Sequence, residues 1–307
     1  MRKTRVLIHR ALCVGLLAGL LPGIALRAQD CAPRLSTQDD AALRAVVLIA
    51  GAEDPEVAAA VRALGANTLV TQSFPDPAAA AAASGAGLRY MARVTTREVL
   101  RLASEPALLA SVREIPNLFG LEYLDPSVLE GYVPASTQAW AYGTLKTLFP
   151  TALVVHATRL EPIAWDPAYL DSYFRPEFTD LVAPYFYPVG TNFLGAQRQE
   201  EPWEERLRSL LTPLVARVPE GKAVLPVLQA FERDGYPVDA RLVARQWSVY
   251  RESFPENPNV AAFWWGGGSP EPLTGMSQRP QMLEGFRRLF GGTPARPSPC
   301  SVPERPR

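Results

Sequence analysis

Histidine is nearly missing from this chain of 307 residues, which holds two, His9 and His156. Cysteine occurs three times, at Cys13, Cys31 and Cys300. Lysine is as scarce, with Lys3, Lys146 and Lys222. Each shortage removes a chemistry. A zinc centre built on two or three histidines, or on cysteines, is excluded, and no metal or other cofactor is expected. A Ser-His-acid triad has only His156 to draw on, and no G-x-S-x-G elbow is present. Lys146 falls on a predicted helix and Lys222 at the N-terminal end of a predicted strand, so Schiff-base chemistry is disfavoured. The chain lacks a Walker motif, and it lacks a basic stripe, so nucleic acid is not expected as a partner. Beyond residue 28 no apolar run is long enough for a membrane span.

The first residues read as a secretory leader. Arg2, Lys3, Arg5 and Arg10 precede an apolar stretch over 11–26, which Pro22 and Gly23 interrupt before the small residue Ala28. Cleavage near Ala28 predicts a secreted or periplasmic protein without stable membrane insertion. Gln29-Asp30 makes a poor lipobox for Cys31. The leader carries five of the 31 basic residues and none of the 31 acidic ones, so its loss leaves a formal net charge of −5. Cys31 and Cys300 remain in an oxidising compartment, and a disulfide between them is the simplest account. It would close a loop of nearly the whole domain. Two free thiols or an intermolecular bond are the alternatives. The expected organisation is a leader over 1–28, one domain over 29–292 and a Pro-rich tail over 293–307.

Between leader and tail the chain alternates. Eight β-branched or aromatic runs, at 45–51, 67–73, 88–94, 118–125, 152–157, 180–190, 223–231 and 260–267, predict strands. Segments of helical period follow each, at 55–64, 77–84, 96–113, 136–148, 167–174, 202–216, 239–253 and 280–290. Asp54-Pro55, Asp76-Pro77 and Thr95-Thr96 supply helix starts. Eight βα units predict a single (β/α)8 barrel. A doubly wound open sheet is the alternative. Its first turn should be rich in glycine, whereas GAEDPE here is acidic with one glycine.

A barrel places its active site at the C-terminal strand ends. Those ends offer Glu53, Gln72, Arg93, Glu122, Asp125, His156, Arg159, Glu161, Tyr185, Tyr187, Gln229, Glu232 and Trp264. Carboxylates, amides and aromatics at one rim suit a sugar, whose ring stacks on aromatic faces and whose hydroxyls bond to acids and amides. In GLEYLD, alternation separates Glu122 from Leu121 and Tyr123, so Glu122 points into the barrel if Phe119, Leu121 and Tyr123 pack under the helices. Glu122 is a candidate acid, or else a buried structural acid paired with Arg89 or Arg93. Asp125, before Pro126, is a second candidate or a turn cap.

Three stretches resemble the TIM-barrel glycoside hydrolases. GLEYLDP is similar to their strand-4 segment, which carries an acid. DLVAPYFYPVG resembles their strand-6 segment. VLPVLQAF and VAAFWWGG resemble the ends of strands 7 and 8, where a tryptophan floors the sugar site. The resemblance implies an O-glycosyl hydrolase, or a barrel descended from one, with a poly- or oligosaccharide as substrate or ligand. It implies catalytic roles for Glu122 or Asp125, with Glu232, Glu161 or Glu53 as second carboxylate. Arg93, His156, Tyr185, Tyr187, Gln229 and Trp264 would bind the sugar. Two departures stand out. Asp125 and Pro126 are adjacent with no Glu between them, and Gln229 occupies the strand-7 position where such enzymes place a nucleophilic carboxylate. The alternative is therefore a non-catalytic carbohydrate-binding barrel; a structural envelope protein is a third reading.

In FWWGGG (263–268), adjacent strand residues face opposite ways. Pairing Trp264 with the small Ala262 predicts that these two face inward and that Phe263 and Trp265 pack under the last helix.

Overall fold

The computed structural model describes residues 42–123, 133–166, 168–189, 202–233, 236–263, 266 and 273–291. The leader, Cys31, Cys300 and the tail lie outside these residues, as do Asp125, Trp264 and Trp265.

Each β-rich run forms a strand, namely β1 (Arg44–Leu48), β2 (Thr68–Thr71), β3 (Arg89–Val94), β4 (Leu118–Tyr123), β5 (Leu153–Arg159), β6 (Leu181–Tyr185), β7 and β8 (Val260–Phe263). β7 consists of two pieces, Ala223–Val224 and Val227–Gln229. Pro226 has no N–H to give the ladder, which explains the break there. All neighbours pair in parallel, and β8 returns to β1 with Val46 opposite Ala262, so the sheet is a closed eight-stranded barrel.

The connections are α1 (Pro55–Ala63), α2 (Pro77–Gly85), α3 (Thr96–Ser104), α4 (Pro106–Arg113), α5 (Ala135–Leu148), α6 (Pro162–Trp165), α7 (Tyr169–Ser172), α8 (Trp203–Val215), α9 (Ala240–Ser253) and α10 (Pro280–Phe290). Asp54 and Asp76 accept from the N–H groups of Glu56 and Ala78, and Thr95 with Glu98 forms a reciprocal capping box. The single helix expected over 96–113 is two, α3 and α4. Pro106 drives Glu105 to an extended φ of −115° and ψ of 93°, which ends α3. The helix expected over 167–174 is the short α7, and α6 precedes it as a separate turn before Asp166.

Strand alternation divides the apolar residues into two cores. Val46, Leu69, Ala92, Leu121, Val154, Val182 and Ala262 pack against the helices, while Val47, Val70, Met91, Val155, Ala183 and Ala261 fill the barrel. The strand-8 register is therefore one residue off the expected one. Ala262 faces the helices, and Phe263 belongs with the interior set. Ala261 and Ala262 are identical in size, so volume alone could not choose between them.

Strand β4 carries one extra residue. Tyr90 stands opposite Leu118 but Met91 opposite Gly120, so Phe119 is left without a partner. Phe119 consequently turns inward, away from the face of Leu121 and Tyr123, and the Arg89 guanidinium lies 4.4 Å from its ring centroid. Beyond the bulge the alternation resumes, with Leu121 and Tyr123 outward and Glu122 inward.

His156 alternates with the inward Val155 and Ala157, so it faces the helix layer, where its ring lies 6.0 Å from that of Phe174. Burial lowers its pKa to about 4, so it is neutral near pH 7. The unfolded chain takes up this proton near pH 6.5 and the folded chain only near 4. The stabilisation is thus complete above the unfolded pKa and is lost as pH falls towards the folded one. Urea denaturation should show wild type losing up to ~3 kcal/mol more than His156→Gln between pH 7 and pH 4.

Helices α9 and α10 touch where α10 carries a glycine and α9 an alanine. A Cβ on Gly285 would lie 2.7 Å from the Cα of Ala240. Gly285→Val should therefore destabilise the fold by about 2 kcal/mol, read as a lower midpoint in chemical denaturation.

Candidate functional site

At the C-terminal ends of β3 and β4, Arg93 and Glu122 stand in register. Gln72 follows β2, on the same face as Thr68 and Val70. Its side-chain Nε2 donates to Glu122 Oε1 at 3.1 Å and to Oε2 at 3.4 Å. Arg93 Nη1 donates to Gln72 Oε1 at 3.5 Å. The Gln72 amide thus relays between a guanidinium and a carboxylate. Glu122 is only 6% exposed, and burial of a carboxylate calls for such hydrogen bonds.

An aromatic wall rises from β6, β7 and β8. Tyr185 and Tyr187 share a face, with ring centroids 5.3 Å apart. Tyr187 stacks on Phe263 at 5.6 Å and 20°, and meets Phe231 edge-on at 5.0 Å. Phe231 and Phe263 are also edge to face, at 6.0 Å. These contacts hold Tyr187 in place from two sides.

A cavity of about 120 Å³ joins the two groups of residues: Gln72, Glu122, Tyr185, Tyr187 and Phe263 all line it. Three of the residues expected at a site from the sequence therefore converge, namely Glu122, Tyr185 and Tyr187, and Arg93 reaches them through Gln72. Phe263 and Phe231 were not expected. The two-alanine ambiguity hid the first, and the second is the last residue of the strand-7 run, two beyond the observed end of β7. Gln72 stood at a predicted strand end; the parity of β2 against Glu122 is the signal that assigns it.

Other candidates lie elsewhere. Gln229 is fully buried and both sides of its amide are engaged: Oε1 accepts from Val189 N–H, and Nε2 donates to the carbonyls of Val189 and Phe231, each at 3.0 Å. Its own N–H donates to Gln246 Oε1. This side chain brackets the segment after β6 against that after β7. His156 faces the helices, as described. Glu232 lies on a short antiparallel pair, Phe231–Arg233 with Leu273–Gly275, opposite Thr274, and binds Arg279 at 2.6 Å. Glu161 forms a buried ion pair with Arg159 at 3.2 Å, with side-chain exposures of 5% and 8%. Glu53 is exposed after β1. Among the described residues, Glu122 is the one carboxylate that lines the cavity, and no group of histidine, cysteine and acidic side chains could hold a metal ion. Asp125 and Trp264 lie outside the described residues.

The first glycine of FWWGGG has a steric reason. Gly266 has φ +144°, and a Cβ there would sit 2.5 Å from Ser277 Oγ.

No family model and no curated protein matches the chain. Solved structures match by shape. The β-D-glucuronidase of Dictyoglomus thermophilum superposes with a TM-score of 0.55 and 10% identity, over 83% of this chain and 50% of that one. The FMN-binding β-glucuronidase of Facaelibacterium prausnitzii L2-6 gives 0.53 and 12%, over 83% of this chain and 45% of that one. A calcium-binding mutant of Bacteroides uniformis β-glucuronidase 2 gives 0.51 and 11%, over 80% and 34%. The chain spans between a third and a half of the length of these structures. At such identities the likeness is one of fold alone, that of a (β/α)8 barrel.

Proposed function

We propose that this chain is an exported carbohydrate-binding barrel on a glycoside-hydrolase scaffold, with a saccharide at its mouth and no hydrolytic turnover. One observation carries the reading: Glu122 is the single carboxylate lining the cavity among the described residues. Glycoside hydrolysis ordinarily needs two carboxyl groups flanking the scissile bond. The strand-7 end offers an amide, Gln229, that is spent on structural hydrogen bonds. Glu161 and Glu232 are held by Arg159 and Arg279.

Binding needs less than catalysis. The stacked Tyr187 and Phe263 suit the C–H face of a sugar ring. Glu122, Gln72 and Arg93 suit its hydroxyls, with a charged acceptor and a charged donor among them. The basic, apolar N-terminal stretch supports export, and the absence of a basic stripe argues against a nucleic-acid partner. No helix among the described residues is long and apolar enough to cross a membrane.

Hydrolysis with Glu122 as proton donor is the second reading, favoured by the place of that side chain on the cavity wall at the strand ends. Glycan-array screening followed by calorimetry separates the two. Binding should weaken at least tenfold in Tyr187→Ala and in Phe263→Ala, with no reducing ends released between pH 4 and 8. Turnover that Glu122→Gln abolishes would replace the binding reading with the hydrolytic one. A chain that binds no glycan at all refutes both.

A further inference from the structure

The interior of a (β/α)8 barrel is ordinarily filled by layers of bulky branched side chains. Here several inward positions are small. Ala157 stands opposite Ala183 across β5 and β6, and Ala261 is the inward residue of β8 opposite Val227. Gly120 faces Met91 across the β4 bulge. The missing volume is the cavity of about 120 Å³, whose deeper lining includes Val47, Val70, Val155, Ala157, Ala183 and Ala261.

Its polar groups are all at one end. Gln72 and Tyr187 lie beyond their strands, Tyr185 is the last residue of β6, and Glu122 the last but one of β4. The volume would hold about four waters at ~30 Å³ each, and each water needs two to four polar partners. The deeper walls offer none. An apolar cavity of about 150 Å³ stays dry and admits a guest the size of benzene. The volume, the apolar walls and the polar rim therefore match one kind of occupant.

We propose that the barrel interior binds the apolar body of a small aryl or short-chain alkyl alcohol, with its hydroxyl directed to Glu122 and Gln72. This proposal does not rest on the saccharide reading, because the guest is taken up by the apolar walls beneath the mouth. It identifies the ligand chemistry as amphipathic, with a single polar end.

Benzyl alcohol titrated into the full chain by calorimetry tests it. Wild type should bind one equivalent saturably, and its thermal midpoint should rise with ligand concentration. Ala183→Val and Ala261→Val, made singly and checked by circular dichroism for a cooperative fold, place methyl groups in the cavity and should bind at least tenfold more weakly. Ala157→Val stands in for either one that does not fold. Toluene, which lacks the hydroxyl, should bind wild type at least threefold more weakly than benzyl alcohol. No saturable binding of benzyl alcohol by wild type overturns the proposal, as does undiminished binding by the filled variants. Equal binding of toluene overturns the part assigned to Glu122 and Gln72. Glycan binding by the same variants reports on the mouth separately.

Discussion

In a closed parallel sheet every side chain must face either the barrel axis or the surrounding helices, and its neighbour must do the reverse. That alternation governs most of what is distinctive in this chain. It sends His156 into the helix layer between the inward Val155 and Ala157, where burial keeps it neutral. It sends Glu122 inward between Leu121 and Tyr123. Where the alternation is broken, at the unpaired Phe119, the break is confined to the start of β4 and leaves Glu122 correctly aimed.

The charges at the rim are managed in separate sets. Arg93, Gln72 and Glu122 form one relay, in which the neutral amide spans two opposite charges. Arg159 and Glu161 form a second set, buried together. Glu232 and Arg279 form a third, partly exposed. A buried charge without such company would be costly, so these pairings are a condition of placing acids near an apolar interior at all. They also leave a single acid on the cavity wall among the described residues, and the proposed binding function rests on this asymmetry. Gln229 illustrates the same economy. Its buried amide ties three backbone groups together.

Much of the architecture was legible from local pattern. The eight β-rich runs and the capped helices Asp54-Pro55 and Asp76-Pro77 are local signals, and the structure realises them in order. Pro106 was visible, yet helical periodicity on both sides of it masked the break between α3 and α4. The site was less legible. Phe263 was assigned to the wrong face because Ala261 and Ala262 give no contrast in volume, and a slip of one residue exchanges the two faces of a strand. Phe119 was grouped with Leu121 and Tyr123 because a bulge leaves no mark in a run of apolar residues.

The sequence by itself determined the number and type of elements, the scarcity of metal and nucleophile chemistry, and the carboxylate and tyrosines that gather at one rim. These follow from composition and short-range periodicity. Tertiary structure alone decided which side chains share the cavity, that Gln72 is the partner of Glu122 across 50 residues, and that Gln229 is consumed as a bracket. The void inside the barrel is of the same kind. Its size depends on which alanines meet across the sheet, Ala157 with Ala183 between β5 and β6 and Ala45 with Ala261 where β8 closes on β1.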